Sequence, residues 1–230
     1  MQRAELVAQD RPQFGRWGVR LCIFGKLAAA RFAPAGIAVR RSDLGPGIRL
    51  ALLLPMLLDA SSADCLVLTF KEGLLSAIAH DLQIRVARFA ITIDERVWRV
   101  EASFDAHSLR VVGSVRNGVV AFGELSDADK RTIEQNIVRD VLHAERYPEI
   151  RFVSEAAQAR GDVLDVTGTL TLHGCARPVV VSLRRAGRGW TAETRLHQPD
   201  FGIRPYSAML GTLRVQPDVT VRVVVPGAGG

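Results

Sequence analysis

Between Asp162 and Pro178 the chain alternates. Leu164, Val166, Leu170 and Leu172 fall on one side of an extended backbone, and Asp165, Thr167, Thr169 and Thr171 on the other. Side chains of a strand alternate with period two, so this segment has one dry face and one wet face. The period returns at Trp98, Val100, Ala102 and Phe104, at Val179, Val181 and Leu183, at Trp190 to Leu196, and at Val219 to Val225. A chain built mostly of such strands must bury a continuous apolar face, between two sheets or inside a closed barrel.

The early strands follow the same rule with one interruption. Leu66, Leu68 and Phe70 alternate with Val67, Thr69 and Lys71, and Leu82, Ile84 and Val86 alternate with Gln83, Arg85 and Ala87. Phe89, Ile91 and Ile93 then occupy odd positions. A slip of one residue turns every later side chain to the other face, so a bend or bulge is predicted near Arg88. One segment keeps a helical period instead. Ser126 and Asp129 have capping-box spacing, and Ile133, Ile137 and Val141 recur every four residues. An amphipathic helix is predicted over 127–142, stopped by Tyr147-Pro148. About eight or nine strands and one helix result.

Composition narrows the function classes. The net charge of +6 is concentrated in residues 1–60, which hold nine Arg or Lys against four Asp or Glu. The remainder is near neutral and has no electrostatic reason to seek nucleic acid. Aromatic residues are 6%, too few for base-stacking platforms. Cys22, Cys65 and Cys175 show no CxxC spacing, so neither a disulfide framework nor a thiolate zinc site is expected. No apolar run reaches the ~18 residues of a membrane-spanning helix. The nearest approach, Leu50 to Leu58, contains Pro55 and follows Arg40, Arg41 and Arg49. It has the parts of a secretory signal at the wrong distance from Met1. Residues 1–60 are read as a poorly ordered extension, either a leader or a stretch upstream of a true start at Met56. Residues 64–225 are read as the folded domain.

Several segments of that domain resemble the YceI-like, polyisoprenoid-binding proteins. They are Lys71 to Leu82 with His80 before a strand, Phe104-Asp-Ala-His-Ser-Leu109, and Tyr147-Pro-Glu-Ile-Arg-Phe152. Val166-Thr-Gly-Thr-Leu-Thr-Leu-His-Gly-Cys-Ala-Arg-Pro-Val179 and Asp200-Phe-Gly-Ile203 complete the set. The resemblance covers about residues 64–225. It implies an all-β, lipocalin-like antiparallel barrel of about eight strands with one inserted helix, and non-covalent binding of an isoprenoid lipid without a cofactor. It also implies a periplasmic location, with the cytoplasm as the alternative because no clean N-terminal signal is present. The implied partner is an apolar lipid, with no nucleic acid and no stable membrane span. A homodimer is compatible with this reading.

On that basis Leu68, Phe70, Leu82, Ile84, Val86, Trp98, Val100, Phe104, Leu170 and Leu172 are the candidate lumen lining. His80, beside Asp81, is a candidate polar residue at the mouth, or a histidine satisfied by a backbone carbonyl. A long apolar ligand offers few polar handles, so recognition would come from buried area at roughly 25 cal/mol per Å². Periodicity alone equally describes a barrel whose side chains meet and fill it, a structural or stress-response scaffold acting through its surface. A hydrolytic or metal-dependent role using His80 is the third reading. No nucleophile elbow, phosphate loop or convergent histidine set supports it, and the chain is read as not an enzyme.

Overall fold

The computed structural model describes residues 55–72, 81–94, 97, 99–208 and 213–226. The sequence readings for residues 1–54, His80 and Trp98 lie outside them. Thirteen strand segments form one antiparallel sheet. In chain order they are β1 (Met56–Asp59), β2 (Asp64–Glu72), β3 (Asp81–Val86), β4 (Phe89–Asp94), β5 (Arg99–Asp105), β6 (Leu109–Arg116) and β7 (Val119–Ala121). After the helical segment come β8 (Glu149–Arg160), β9 (Val163–Leu172), β10 (Cys175–Ala186), β11 (Gly189–His197), β12 (Ser207–Ala208) and β13 (Leu213–Val225). The first described strand, β1, begins at Met56.

The pairing closes on itself. β1 and β2 run alongside β4 and β3, and β3 and β4 run alongside β6 and β5. Each couple is therefore one long bent stave. β5 pairs β8, the chain then meanders through β9, β10, β11 and β13, and β13 returns to β2. Eight staves, each paired with its chain neighbours and the last with the first, make an up-and-down barrel.

The predicted slip at Arg88 is the bend between β3 and β4. Ser108 holds it from the neighbouring stave. Its Oγ accepts from the Arg88 N–H at 3.0 Å and donates to the Asp105 carbonyl at 2.8 Å. The Ala87 N–H donates to the Ser108 carbonyl at 2.9 Å. Ser108 is fully buried, so these bonds satisfy groups that water cannot reach.

The predicted helix is α1 (Asp127–Asn136), continued by a π-helical turn at Ile137–Val141. Both bonds of the capping box are present, Asp129 N–H to Ser126 Oγ and Ser126 N–H to the Asp129 carboxylate. β8 pairs only the β5 half of its neighbour, which leaves the β6 edge uncovered by it. The helix fills that place, and Glu134 Oε1 accepts the Val111 N–H at 2.8 Å. Ile133, Ile137 and Leu142 pack against Ile84, Leu109 and Val111 beneath.

Alternating stave direction gives the barrel two different ends. One carries the long β6–β8 connection with the helix, the β9–β10 turn at His173-Gly174, and the β11–β13 connection. The other carries the start of β1, the short β4–β5, β8–β9 and β10–β11 turns, and the end of β13. We call these the helix end and the open rim.

Candidate functional site

The interior is the candidate site, and its two walls differ. One wall is made of bulky side chains. Phe89, Ile91, Phe152, Leu170 and Leu172 are all under 10% exposed and join one cluster with Val86, Ala102 and Val166. The facing wall is mostly made of shorter ones. β10 supplies Val179 and Val181 with Leu183, β11 supplies Ala192 and Thr194 between the larger Trp190 and Leu196, and β13 supplies Val219, Val221, Val223 and Val225. The β10 and β13 residues pack on the cluster yet remain partly exposed. Val179 borders the opening between β10 and β11, and the inward-facing β13 valines are not fully covered by the opposite wall, which leaves space beside them. Short side chains on one wall of an eight-stranded barrel leave that space, because backbone separation is set by strand number and not by the side chains.

Most of the proposed lining faces inward. Val86, Val100, Phe104, Leu170 and Leu172 belong to the main cluster or pack on it. Ile84 and Leu82 lie in a smaller cluster beneath the helix. Leu68 and Phe70 do not face in. Val67 registers with Ile84 on one side and Val221 on the other, so β2 presents Cys65 and Val67 to the interior. Leu68, opposite Gln83 and Thr220, points outward, and Phe70 is 36% exposed. Alternation on this strand was ambiguous because both of its faces are apolar. The residues missed were Cys65, Val67 and the β10 and β13 valines. Their signal was present as alternation, but nothing in one strand says that its small side chains face an open wall.

The barrel wall is chemically quiet. Burial pushes the Cys65 thiol up to about 12, which keeps it protonated and unreactive. Ser154, 8% exposed, accepts the Val100 N–H at 2.7 Å. Among the described residues no group of three or more His, Cys, Asp or Glu is arranged to hold a metal. Two depressions are present among the described residues. One of about 330 Å³ is lined by Ser103 to Asp105, His107, Pro148 and Glu149. The other, of about 520 Å³, lies between β10 and β11 where the two strands are not paired, and is lined by inward-phase Val179, Thr194 and Leu196 as well as Pro178, Val180, Arg195 and His197. In the latter, His197 and Arg195 both bond Asp218, whose carboxyl is held below its ordinary range chiefly by the His197 hydrogen bond. Arg195 thus already has its counter-charge.

The helix end holds a histidine pair. His143 Nδ1 and His173 Nε2 lie 2.9 Å apart, and the Tyr147 ring packs against His173 at 4.5 Å between centroids, tilted by 54°. Both histidines have positive φ, 45° and 53°. His173 shares its turn with Gly174, the φ > 0 pair that a tight hairpin requires. Burial, with the charges of His143 and Arg146, draws His173 below the usual histidine value, against the weaker opposing effect of the hydrogen bond it donates to the Phe201 carbonyl. Among the described residues no helix is long and apolar enough to cross a membrane.

Comparison with known proteins agrees with this architecture. The YceI-like domain model matches residues 69–226. A UPF0312 protein of Pseudomonas putida is 38% identical over 96 residues, covering 37% of this chain and 49% of that protein. Protein YceI of Escherichia coli is 33% identical over 75 residues, covering 28% and 39% respectively. The chain thus matches about half the length, or less, of these curated relatives. Among solved structures, Burkholderia cenocepacia BcnA superposes with a TM-score of 0.50 over 73% of this chain and 98% of that one, at 16% identity, a likeness of fold. The closed eight-stave barrel, its helix and the matched span together place this chain in the YceI-like domain family.

Proposed function

We propose that the barrel binds a long apolar lipid, of polyisoprenoid type, in the space between its bulky and its short-chained wall, and carries it without changing it chemically. The observation that supports this is the partial exposure of inward-facing valines on β10 and β13. A packed scaffold has no use for a wall of solvated valines, because each partly exposed methylene forgoes about 0.8 kcal/mol of burial. The ligand recovers it. An apolar tail that buries about 300 Å² gains roughly 7 kcal/mol before the cost of association, within the range of a reversible carrier. Val86, Val100, Phe104, Leu170, Leu172, Val181, Val221 and Val223 are the contacts this reading assigns. We also propose a periplasmic location, which cell fractionation tests.

The experiment is ligand loading from detergent micelles, with farnesol and a longer polyprenol as probes, read by native mass spectrometry. The expected result is a protein–prenol complex that is lost in Val221→Trp, whose indole fills the space while thermal stability stays close to the parent. Equal loading of parent and variant would overturn the assignment, and so would a clean apo mass for the parent after gentle handling.

A further inference from the structure

Four of the large apolar side chains most exposed among the described residues gather at the open rim. They are Met56 at 44%, Leu57 at 62%, Val97 at 66% and Trp190 at 45% exposure. The register places them there. Met56 pairs Ile93 near the β4–β5 turn that holds Val97, and Trp190 pairs Val225 at the last position of β13. Met56 and Trp190 share the inward phase of Leu58 and Leu196, so they line the mouth itself.

Charge surrounds this apolar lip on one side. Arg185 lies opposite Trp190 and sets its guanidinium 5.6 Å from the indole centroid. Arg188 occupies the β10–β11 turn beside it. Among the described residues no carboxylate pairs with either arginine. Among the described residues, Asp94 ends β4 and Asp162 lies in the β8–β9 turn. In sequence, the residues that lead into β1 at this end, Leu50 to Leu54, are all apolar and follow Arg40, Arg41 and Arg49. Apolar rings with neighbouring unpaired cations are the composition that binds at the boundary of an anionic bilayer.

We infer that the open rim docks on an anionic lipid surface, with Trp190, Met56, Leu57 and Val97 entering the boundary between headgroups and acyl chains and Arg185 and Arg188 contacting phosphates. The mouth of the apolar interior then faces the bilayer, and a lipid tail passes between them without crossing water. This rests on the lipid-binding reading for its purpose, but its geometry stands separately. The helix covers the β6 edge at the opposite end, and the greasy lip with its short turns is the entry this proposal assigns.

The test uses the full chain and two kinds of vesicle, phosphatidylcholine alone and phosphatidylcholine with phosphatidylglycerol, neither containing isoprenoid. Cosedimentation is expected with the anionic vesicles only, and to weaken with added salt as screening shortens to about 8 Å at physiological ionic strength. Each arginine near such a surface contributes about fivefold in affinity, so Arg185→Gln with Arg188→Gln should weaken binding about 25-fold. Trp190→Ser with Val97→Ser should abolish the residual binding. All four positions are exposed, and circular dichroism verifies the fold of each variant. Absence of binding by the parent, or variants that bind as the parent does, would overturn the proposal, the latter because contact would then lie elsewhere, including residues 1–54. Micelle loading, measured in parallel, separates the two readings. Loading without vesicle binding removes only the docking, and vesicle binding without loading removes only the carrier.

Discussion

Gly168 lies inside β9 where the bulky wall is tightest, and adding one methyl group there tests the packing account. A Cβ on Gly168 would stand 2.4 Å from the Val153 carbonyl oxygen and 2.7 Å from Cε2 and Cζ of Phe152. Ordinary carbon contacts lie near 3.5–4.0 Å. The Val153 oxygen belongs to the β8 backbone and moves only with the strand. The Phe152 ring is 7% exposed and fixed by its neighbours. Gly168→Ala therefore forces β8 and β9 apart or drives the ring out of its site. Overpacking costs about 1–3 kcal/mol, and full loss of a buried phenylalanine about 3–5 kcal/mol, so we expect about 3 kcal/mol. For a domain of this size that is a Tm lower by roughly 6–12 °C. Urea unfolding should show a lower midpoint at unchanged m. Phe152→Leu in the same background should recover about 1 kcal/mol, because it relieves the ring overlap but not the carbonyl one. A Gly168→Ala protein within about 0.5 kcal/mol of the parent, or a double variant whose effects simply add, would refute this account of the wall.

Other expectations follow from single contacts. Glu134→Ala leaves the Val111 N–H without an acceptor beneath the helix and should cost about 1–3 kcal/mol in urea unfolding, whereas Glu134→Gln, which keeps an oxygen there, should cost less than half as much. His173 is held below its ordinary value, so the unfolded chain binds its proton more tightly than the folded one. Stability should be complete above pH about 6.5 and fall as pH drops below that towards the folded value, and His173→Gln should flatten this slope in Tm measured against pH. Cys65, pushed up to about 12 and buried, should resist alkylation at pH 8 in the native protein and react only after unfolding, while the half-buried Cys175 reacts first. Rapid native labelling of Cys65, followed by mass spectrometry, would show that the barrel opens locally at β2.

Local rules were enough for much of the fold. Period two marked the strands, the one-residue slip marked the Arg88 bend, and Ser126 with Asp129 marked the helix start, because each signal is carried by residues within one turn or one strand. The Gly174 turn was likewise readable, since a hairpin of two residues needs positive φ there. Family membership was legible from the combination of the Tyr147–Phe152 and Val166–Val179 segments.

What the chain alone determined, then, is a set of amphipathic strands, one capped helix and a bend. Tertiary structure decided which face of β2 is inside. Leu66, Leu68 and Phe70 are as apolar as Cys65 and Val67, and only pairing of Val67 with both Ile84 and Val221 breaks the tie. It also decided that the valines of β13 lie across the ring from Phe152 on β8 and those of β10 from Phe89 and Ile91 on β4, which leaves one wall short of its partner. Alternation records the environment of a strand on its own two faces, whereas the width of the space between two walls depends on staves that are far apart in sequence and meet only when the ring closes.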